Sequence, residues 1–405
     1  MGDRQSAPKG RKAVARRKRG AVRVQQNPVD LSLRETVHDR ILSVLAELGR
    51  DRGARRHIVD LLKAIEKKVH LPVGRSLREE LTGPMTDALF KHAGVLRKEL
   101  RDGTIFDFVY RSKIARDLVL SPDEHPDHVF EPQTTRLFLH LVRNAKQVVI
   151  GGAYAGDHAI PAAKVIAGNG GIVHAFEPSD EQRALLVRNA RLNRVVKAVR
   201  AVPLGLWQDE TKLELVGSDA FARAIPVQAR PSKQATTFTA TSIAAYAAAN
   251  AIAKIDVILM DIEGSELPAL KGALPFLQKP SGDAPDIIFE IHRYYVDWSR
   301  GLHNTDIVRF LSGLGYAVYA VRDFQSNMPM DGCSIELIVP RNAYLEGPPH
   351  GFNMLAVKDP TKLQPPRFRI LKQGSPKLLL HKDPRLHWPT EWRRAADRRG
   401  PGRQR

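Results

Sequence analysis

Ile255-Asp256-Val257-Ile258-Leu259-Met260-Asp261-Ile262-Glu263-Gly264-Ser265-Glu266 is the stretch that decides the fold. Its first half is a short apolar run of strand length. Its second half sets three acids at the C-terminal end of that run. Open α/β sheets place their ligands there, outside the carboxyl ends of the strands. Ser265 suits a helix cap, and Glu266 near a helix N-terminus is favoured by the helix dipole. Asp261 has no such local role. It ends a buried strand, where burial raises its pKa unless a cation or hydrogen-bond donors answer it.

The same pattern recurs on either side. Gln147–Gly151, Ile172–Phe176, Ala198–Leu204, Asp286–Ile291, Tyr316–Val321 and Ser334–Val339 read as further strands. Helical patterns lie between the early ones, over Asp157–Ala167, Asp180–Leu192, Thr241–Ala251, Glu266–Leu277 and Thr305–Leu314. Such alternation predicts a Rossmann-like, doubly wound, mostly parallel seven-stranded sheet with helices on both faces. The last two strands lack a helix between them, so one of them is expected to be antiparallel. Asn353–Lys358 reads as a last packed segment. Upstream, residues 30–125 read as an α-helical region. Ser32 with Glu35 and Ser76 with Glu79 offer capping boxes. Val37, Ile41, Leu45 and Leu48 recur on one helical face. The expected organisation is a basic tail over 1–29, the helical region over 30–125, the α/β domain over 126–358 and a Pro/Arg-rich basic tail over 359–405.

Three further strand ends offer chemistry. Gly151-Gly152-Ala153-Tyr154-Ala155-Gly156 joins the first strand to a helix, the context a nucleotide-binding loop requires. Gly152 and Gly156 allow a tight turn and close approach to a ligand. Glu177 ends the second strand 21 residues after Gly156, where an acid suits ribose hydroxyls. Loop and acid together fit NAD and S-adenosylmethionine equally, since both carry an adenosine ribose. The fifth strand ends Phe289-Glu290-Ile291-His292, and alternation puts Glu290 and His292 on one face. Asp261 and His292 are the candidates for base or substrate positioning. Asp261, Glu263 and Glu290 would also suit a divalent cation, because hard cations favour oxygen ligands, although the spacing does not demand one.

These residues resemble the FkbM family of S-adenosylmethionine-dependent methyltransferases over about 130–358. Gly152-x-x-x-Gly156 is similar to the family's first loop. His174-Ala175-Phe176-Glu177-Pro178 is similar to its strand-two motif. Met260-Asp261-Ile262-Glu263-Gly264-Ser265-Glu266-Leu267-x-x-Leu270-Lys271-Gly272-Ala273 is similar to its most specific signature, and Phe289–His292 to its strand-five motif. The resemblance implies S-adenosylmethionine held by Gly152, Tyr154, Gly156, Asp157, Glu177 and Pro178. It implies catalysis by Asp261 and His292, with Glu263, Glu266 and Glu290 in substrate or structural roles. It also implies O-methylation of a hydroxyl on a sugar, glycan or secondary metabolite. One place departs from the family. The acid that usually ends strand one is Ile150 here, and Asp157 is the group placed to compensate.

Composition narrows the partners. The chain has 405 residues, 63 Lys+Arg against 44 Asp+Glu, and a net charge of +19. Residues 1–25 hold nine Lys/Arg against one acid, and 361–405 hold thirteen against three. The body is therefore nearly neutral. The tails are the parts that would meet nucleic acid or an anionic surface. This supports an alternative reading, a catalytically degenerate methyltransferase fold that binds through its tails. An NAD-dependent dehydrogenase does not account for the acids after Met260. The single cysteine, Cys333, excludes a disulfide framework and a Cys-clustered zinc site. With no apolar run of about 18 residues and no secretory h-region, the expected location is cytoplasmic. Neither the methyl acceptor nor the oligomeric state is encoded in any motif.

Overall fold

The computed structural model describes residues 36–69, 71, 76–121, 131–216, 223–227, 236–323, 332–344, 351–377 and 389–391. The Ser32–Glu35 capping box, the 1–29 tail and, of the 359–405 tail, residues 378–388 and 392–405 lie outside the described residues. The chain divides into two units, Met1–Ile41 and Leu42–Arg405.

The chain opens with α1 (Val37–Leu48), α2 (Arg52–Lys68) and α3 (Gly83–Phe90). Thr36 and Asp39 make the reciprocal bonds of a capping box at the start of α1. Asp51 Oδ1 caps α2 by accepting from Ala54 N at 2.6 Å. An antiparallel hairpin follows, β1 (Val95–Glu99) and β2 (Ile105–Val109), and then α4 (Lys113–Leu120). The expected purely helical region thus contains two strands. Arg97 and Lys98 in β1 broke the apolar alternation that marks a strand. Asp107 pairs with Arg97 at 2.6 Å across the hairpin.

The α/β part begins with α5 (Pro132–Leu141), β3 (Gln147–Gly151), α6 (Ala159–Ile166), β4 (Ile172–Phe176), α7 (Asp180–Leu192) and β5 (Val199–Val202). A small second sheet comes next, from β6 (Gly205–Leu206), β7 (Thr211–Val216), β8 (Arg223–Pro226) and β9 (Thr237–Thr241). The chain returns through α8 (Ile243–Ala249), β10 (Val257–Met260), α9 (Glu266–Lys271), α10 (Leu274–Leu277), β11 (Asp286–Ile291) and α11 (Asp306–Gly313). It closes with β12 (Ala317–Val321), β13 (Ile335–Ile338), β14 (Phe352–Val357) and β15 (Phe368–Leu371).

The large sheet has the order β15-β13-β12-β14-β11-β10-β3-β4-β5. Strands β5, β4, β3, β10 and β11 are mutually parallel. The expected seven strands are all present, but the sheet has nine. β14 inserts antiparallel between β11 and β12, and β15 runs parallel to β13 at the edge. β13 is antiparallel to β12, as the missing helix required. Both faces are covered. Val148, Ile150, Leu259 and Ile288 sit in one core, and Val149, Ile258, Met260, Ile287 and Phe289 in the other. That alternation is the strand period made visible.

The segment 359–377 is not a tail. Leu363 and Phe368 are buried, and β15 completes the sheet edge. Arg322 donates from Nε to the Ser375 carbonyl at 3.2 Å and pairs with Glu336 in a fully buried contact. Glu336 also accepts from Thr390 N at 2.8 Å. The positive charges at 362, 367, 369, 372 and 377 masked an apolar strand in the sequence.

Side-chain amides join the hairpin to the sheet domain. Asn189, wholly buried on α7, accepts from Asp107 N at 2.7 Å and donates to Asp107 O at 2.9 Å. Asn193 does the same with Ile105. Each amide mimics the donor–acceptor pair of a neighbouring strand.

Candidate active site

The register of three strands builds the site. Met260 stands opposite Gly151 and Phe289. One residue further on, Gly152, Asp261 and Glu290 therefore reach the same end of the sheet. A Cβ on Gly152 would lie 1.9 Å from the Asp261 carbonyl oxygen, and its φ of +76° is left-handed. Glycine is required on both counts. Gly152 N and Ala153 N donate to Phe176 O at 3.1 and 3.0 Å, which pins the loop to β4. Gly156, at φ +96°, lets the loop enter α6 against Leu186 and Ile160.

Glu177 and Pro178 sit beside this loop. The Glu177 carboxylate accepts from Tyr154 N at 2.9 Å and from Ser179 N at 2.8 Å. Burial pushes its pKa up, and those two amides pull it part of the way back. Tyr154 itself is left-handed, and its hydroxyl donates to Ser112 Oγ at 3.1 Å at the start of α4. Asn189 Nδ2 donates to Ala155 O at 2.8 Å, so one side chain fixes both loop and hairpin. Ile150 is fully buried in the core and faces no crevice. Asp157 lies within electrostatic reach of Asp261, and burial raises its pKa.

Among the described residues, Glu131, Asp157, Asp261, Glu263, Glu266 and Glu290 form one electrostatically linked group of carboxylates at this crevice. Asp261 and Glu290 hydrogen-bond each other, and both are raised, chiefly by burial. A hydrogen bond between two carboxyl groups requires a shared proton. Glu263 is pushed up to about 7 by burial and by Asp261, while a Tyr295 hydrogen bond opposes the shift. Gly264 packs against that ring, since a Cβ there would lie 2.5 Å from Tyr295. Asp261, Glu263 and Glu290 each offer an oxygen within 4.8 Å of the others, a spacing that suits one divalent cation.

Glu131 is the member that sequence patterning missed. It is buried, its φ is +47°, and Asn353 Nδ2 donates to it. Burial first, then Asp323 and Asp261, hold its pKa well up. Among the described residues, five non-glycines have left-handed backbone. Glu131, Tyr154 and Glu263 are three of them. Such conformations concentrate where function sets the geometry.

Glu266 serves its own loop. It is buried and accepts from Ile262 N at 3.0 Å and Gly264 N at 3.3 Å. Burial nonetheless pushes it up to about 8, from an ordinary value of 4.5. The folded protein therefore holds a proton that the unfolded chain releases. That contribution to stability is complete below pH ~4.5 and is lost as pH rises through about 8. A Glu266→Gln variant keeps an acceptor and carries no charge. Its melting temperature should match wild type at low pH and exceed it by several degrees at pH 8. Melts across that range that run parallel for the two proteins would contradict the assignment.

For His292, expected as base or as substrate-positioning group, the ring geometry favours the second role. Its Nδ1 accepts from Tyr294 N at 3.1 Å, and its ring stacks on Tyr294 at 4.9 Å. Burial first, and then Lys377, lower its pKa, which favours the neutral ring. With Nδ1 accepting, the ring hydrogen sits on Nε2. In this geometry the neutral ring presents its N–H at Nε2, the arrangement of a hydrogen-bond donor. Lys377 was unforeseen. It is buried, lies within electrostatic reach of Glu290 and Lys113, and burial brings its pKa down to about 7. It comes from the segment first read as tail.

Residues 151–318 match the family model described as the Methyltransferase FkbM domain. No curated protein matches the chain. Among solved structures, a methyltransferase FkbM from Methylobacillus flagellatus KT is similar at 13% identity. That match covers 75% of this chain and 59% of the other, with a TM-score of 0.33. An O-methyltransferase from Bacillus cereus in complex with SAH matches at 15% identity, over 61% of this chain and 91% of that one, TM-score 0.31. A SAM-dependent methyltransferase from Agrobacterium tumefaciens matches at 12% identity, over 65% and 70%, TM-score 0.35. Among the described residues, no helix is long and apolar enough to cross a membrane.

Proposed function

We propose, from the premise that residues 151–318 form a Methyltransferase FkbM domain, that this chain is an S-adenosylmethionine-dependent O-methyltransferase. The acceptor would be a hydroxyl on a sugar, glycan or secondary metabolite. The observation that carries the reading is the convergence of the glycine loop, the strand-two acid and a crowd of proton-retaining carboxylates at one sheet end. Buried acids of raised pKa suit a cationic ligand, because bringing positive charge relieves what burial imposes. A cluster of this kind fits the sulfonium and ammonium of S-adenosylmethionine and gives no account of a dianionic pyrophosphate.

When bound, S-adenosylmethionine supplies an activated methyl for in-line displacement by oxygen. The protein's part is to position the acceptor, exclude water and take up a proton. Gly152, Tyr154, Gly156, Asp157, Glu177 and Pro178 would hold the cofactor, with Asp157 answering the absence of an acid at Ile150. Asp261, raised and paired with Glu290, would accept the hydroxyl proton. His292 would orient the acceptor oxygen from Nε2–H. Glu263 and Glu290 would tune Asp261 through repulsion and the shared proton.

The test is isothermal titration of the purified chain with S-adenosylmethionine. Binding at close to one site per chain is expected. No heat at high protein concentration, with a control methyltransferase binding normally, would reject the reading. Mass spectrometry of protein purified without added ligand provides a second check, since S-adenosylmethionine or S-adenosylhomocysteine should co-purify.

A further inference from the structure

Helix α1 has more apolar surface than the fold uses. Leu45 and Ala46 are buried, and Gly49 comes so close to α3 that a Cβ would lie 1.9 Å from the Leu89 carbonyl oxygen. That face is the packed one. Val44 and Leu48 lie to one side of it and are 58% and 44% exposed. Val37 and Ile41 continue the same line along the helix at spacings of four, three and four. On α2, Leu61 is 59% exposed.

The charge around these residues is positive on balance: α1 itself has Arg40 against the exposed acids Asp39 and Glu47, and the excess of positive charge comes from α2 and from the sequence upstream. Helix α2 carries six Lys/Arg against two acids, and Arg52, Arg56, Lys67 and Lys68 are exposed. The sequence that leads into α1 adds the nine Lys/Arg of residues 1–25 against one acid.

We propose that α1 docks on an anionic lipid bilayer surface, with the Val44–Leu48 stripe entering the headgroup region and the basic residues meeting the lipid charge. An interfacial helix of this kind needs both signals, apolar area and positive charge, since either alone binds weakly. Nucleic acid would satisfy the charge and leave the stripe in water. A second copy of the chain would cover the stripe but bring two surfaces of net positive charge together. A 12-residue helix about 18 Å long is also short for the roughly 800 Å² per partner that a stable dimer buries.

The experiment is vesicle flotation of the full chain. Phosphatidylcholine vesicles with and without 30% phosphatidylserine are compared at low and high salt. Binding is expected only with phosphatidylserine, and it should weaken with salt. Val44→Ser/Leu48→Ser should bind about tenfold more weakly, because two aliphatic side chains no longer leave water. Both positions are exposed, so the variant should keep the wild-type circular dichroism spectrum. Arg52→Glu/Arg56→Glu, which leaves the stripe intact, should also lose affinity. Three results would overturn the proposal. One is no flotation with phosphatidylserine. Another is equal binding by wild type and the serine variant, which means adsorption by charge alone. The third is a concentration-dependent dimer, absent in the serine variant, without vesicle binding. None of these readouts depends on the methyltransferase reading.

Discussion

Replacing Gly152 by alanine should abolish S-adenosylmethionine binding and lower the melting temperature by several degrees. Two costs combine. The residue sits at φ +76°, which costs an L-residue about 1–2 kcal/mol. The new methyl would also lie 1.9 Å from the Asp261 carbonyl oxygen. That atom is backbone at the end of a buried central strand, so it has no rotamer by which to move away. Relief has to come from the loop. Loop movement breaks the amide bonds to Phe176 O and draws Tyr154 N away from Glu177. Glu177 and the glycine turn are thus disturbed together. Gly168→Ala is the matched control. It has open space around its Cβ position and no left-handed φ, so it should melt and bind like wild type. Thermal melts and titration calorimetry on both variants make the comparison. A Gly152→Ala protein with unchanged affinity would show that the loop does not hold the cofactor.

The central layout was legible because burial on both sides leaves an unbroken apolar run. Val257–Met260 and Asp286–Ile291 advertise their strands in this way, and Asp261, which follows the first of them, has no local structural role. The site's other half was hidden for physical reasons. Glu131, Asn353 and Lys377 arrive from three distant segments, and only the β14 insertion and the 374–377 segment bring them to one place. No spacing rule connects residues 222 positions apart. The hairpin at 95–109 escaped because it borrows its third edge from the side chains of Asn189 and Asn193, not from a strand. Segment 359–377 escaped because overall charge outweighed its few apolar positions. For His292 the residue was legible, and sequence left its two roles, base or substrate positioning, open. Which ring nitrogen is engaged depends on the turn to Tyr294, and no sequence pattern announces that turn.

Asp261→Asn should lower the methyl-transfer rate by about 10²–10⁴-fold, the usual worth of a positioned general base. The same change should raise stability at alkaline pH. Asparagine keeps the shape and can still hydrogen-bond Glu290, but it removes one like charge from the crevice. Glu290 and Glu263 are both raised in part by repulsion from Asp261, so both should titrate lower in the variant. The sign follows from proton count. In wild type these acids hold protons when folded that they release when unfolded, so stability falls as pH climbs from their ordinary values near 4.5 through about 7 for Glu263. With smaller shifts, the variant loses less over that window, and its melting temperature should exceed wild type at pH 8 and converge with it at pH 5. A more stable but slower protein is the mark of a residue whose strain serves chemistry. The melts need no acceptor. The rate is read as S-adenosylhomocysteine formed with any accepted hydroxyl compound. Wild-type turnover in Asp261→Asn would remove the aspartate from the mechanism. It would make Lys377, held near neutrality beside Glu290, the next base to test by Lys377→Met.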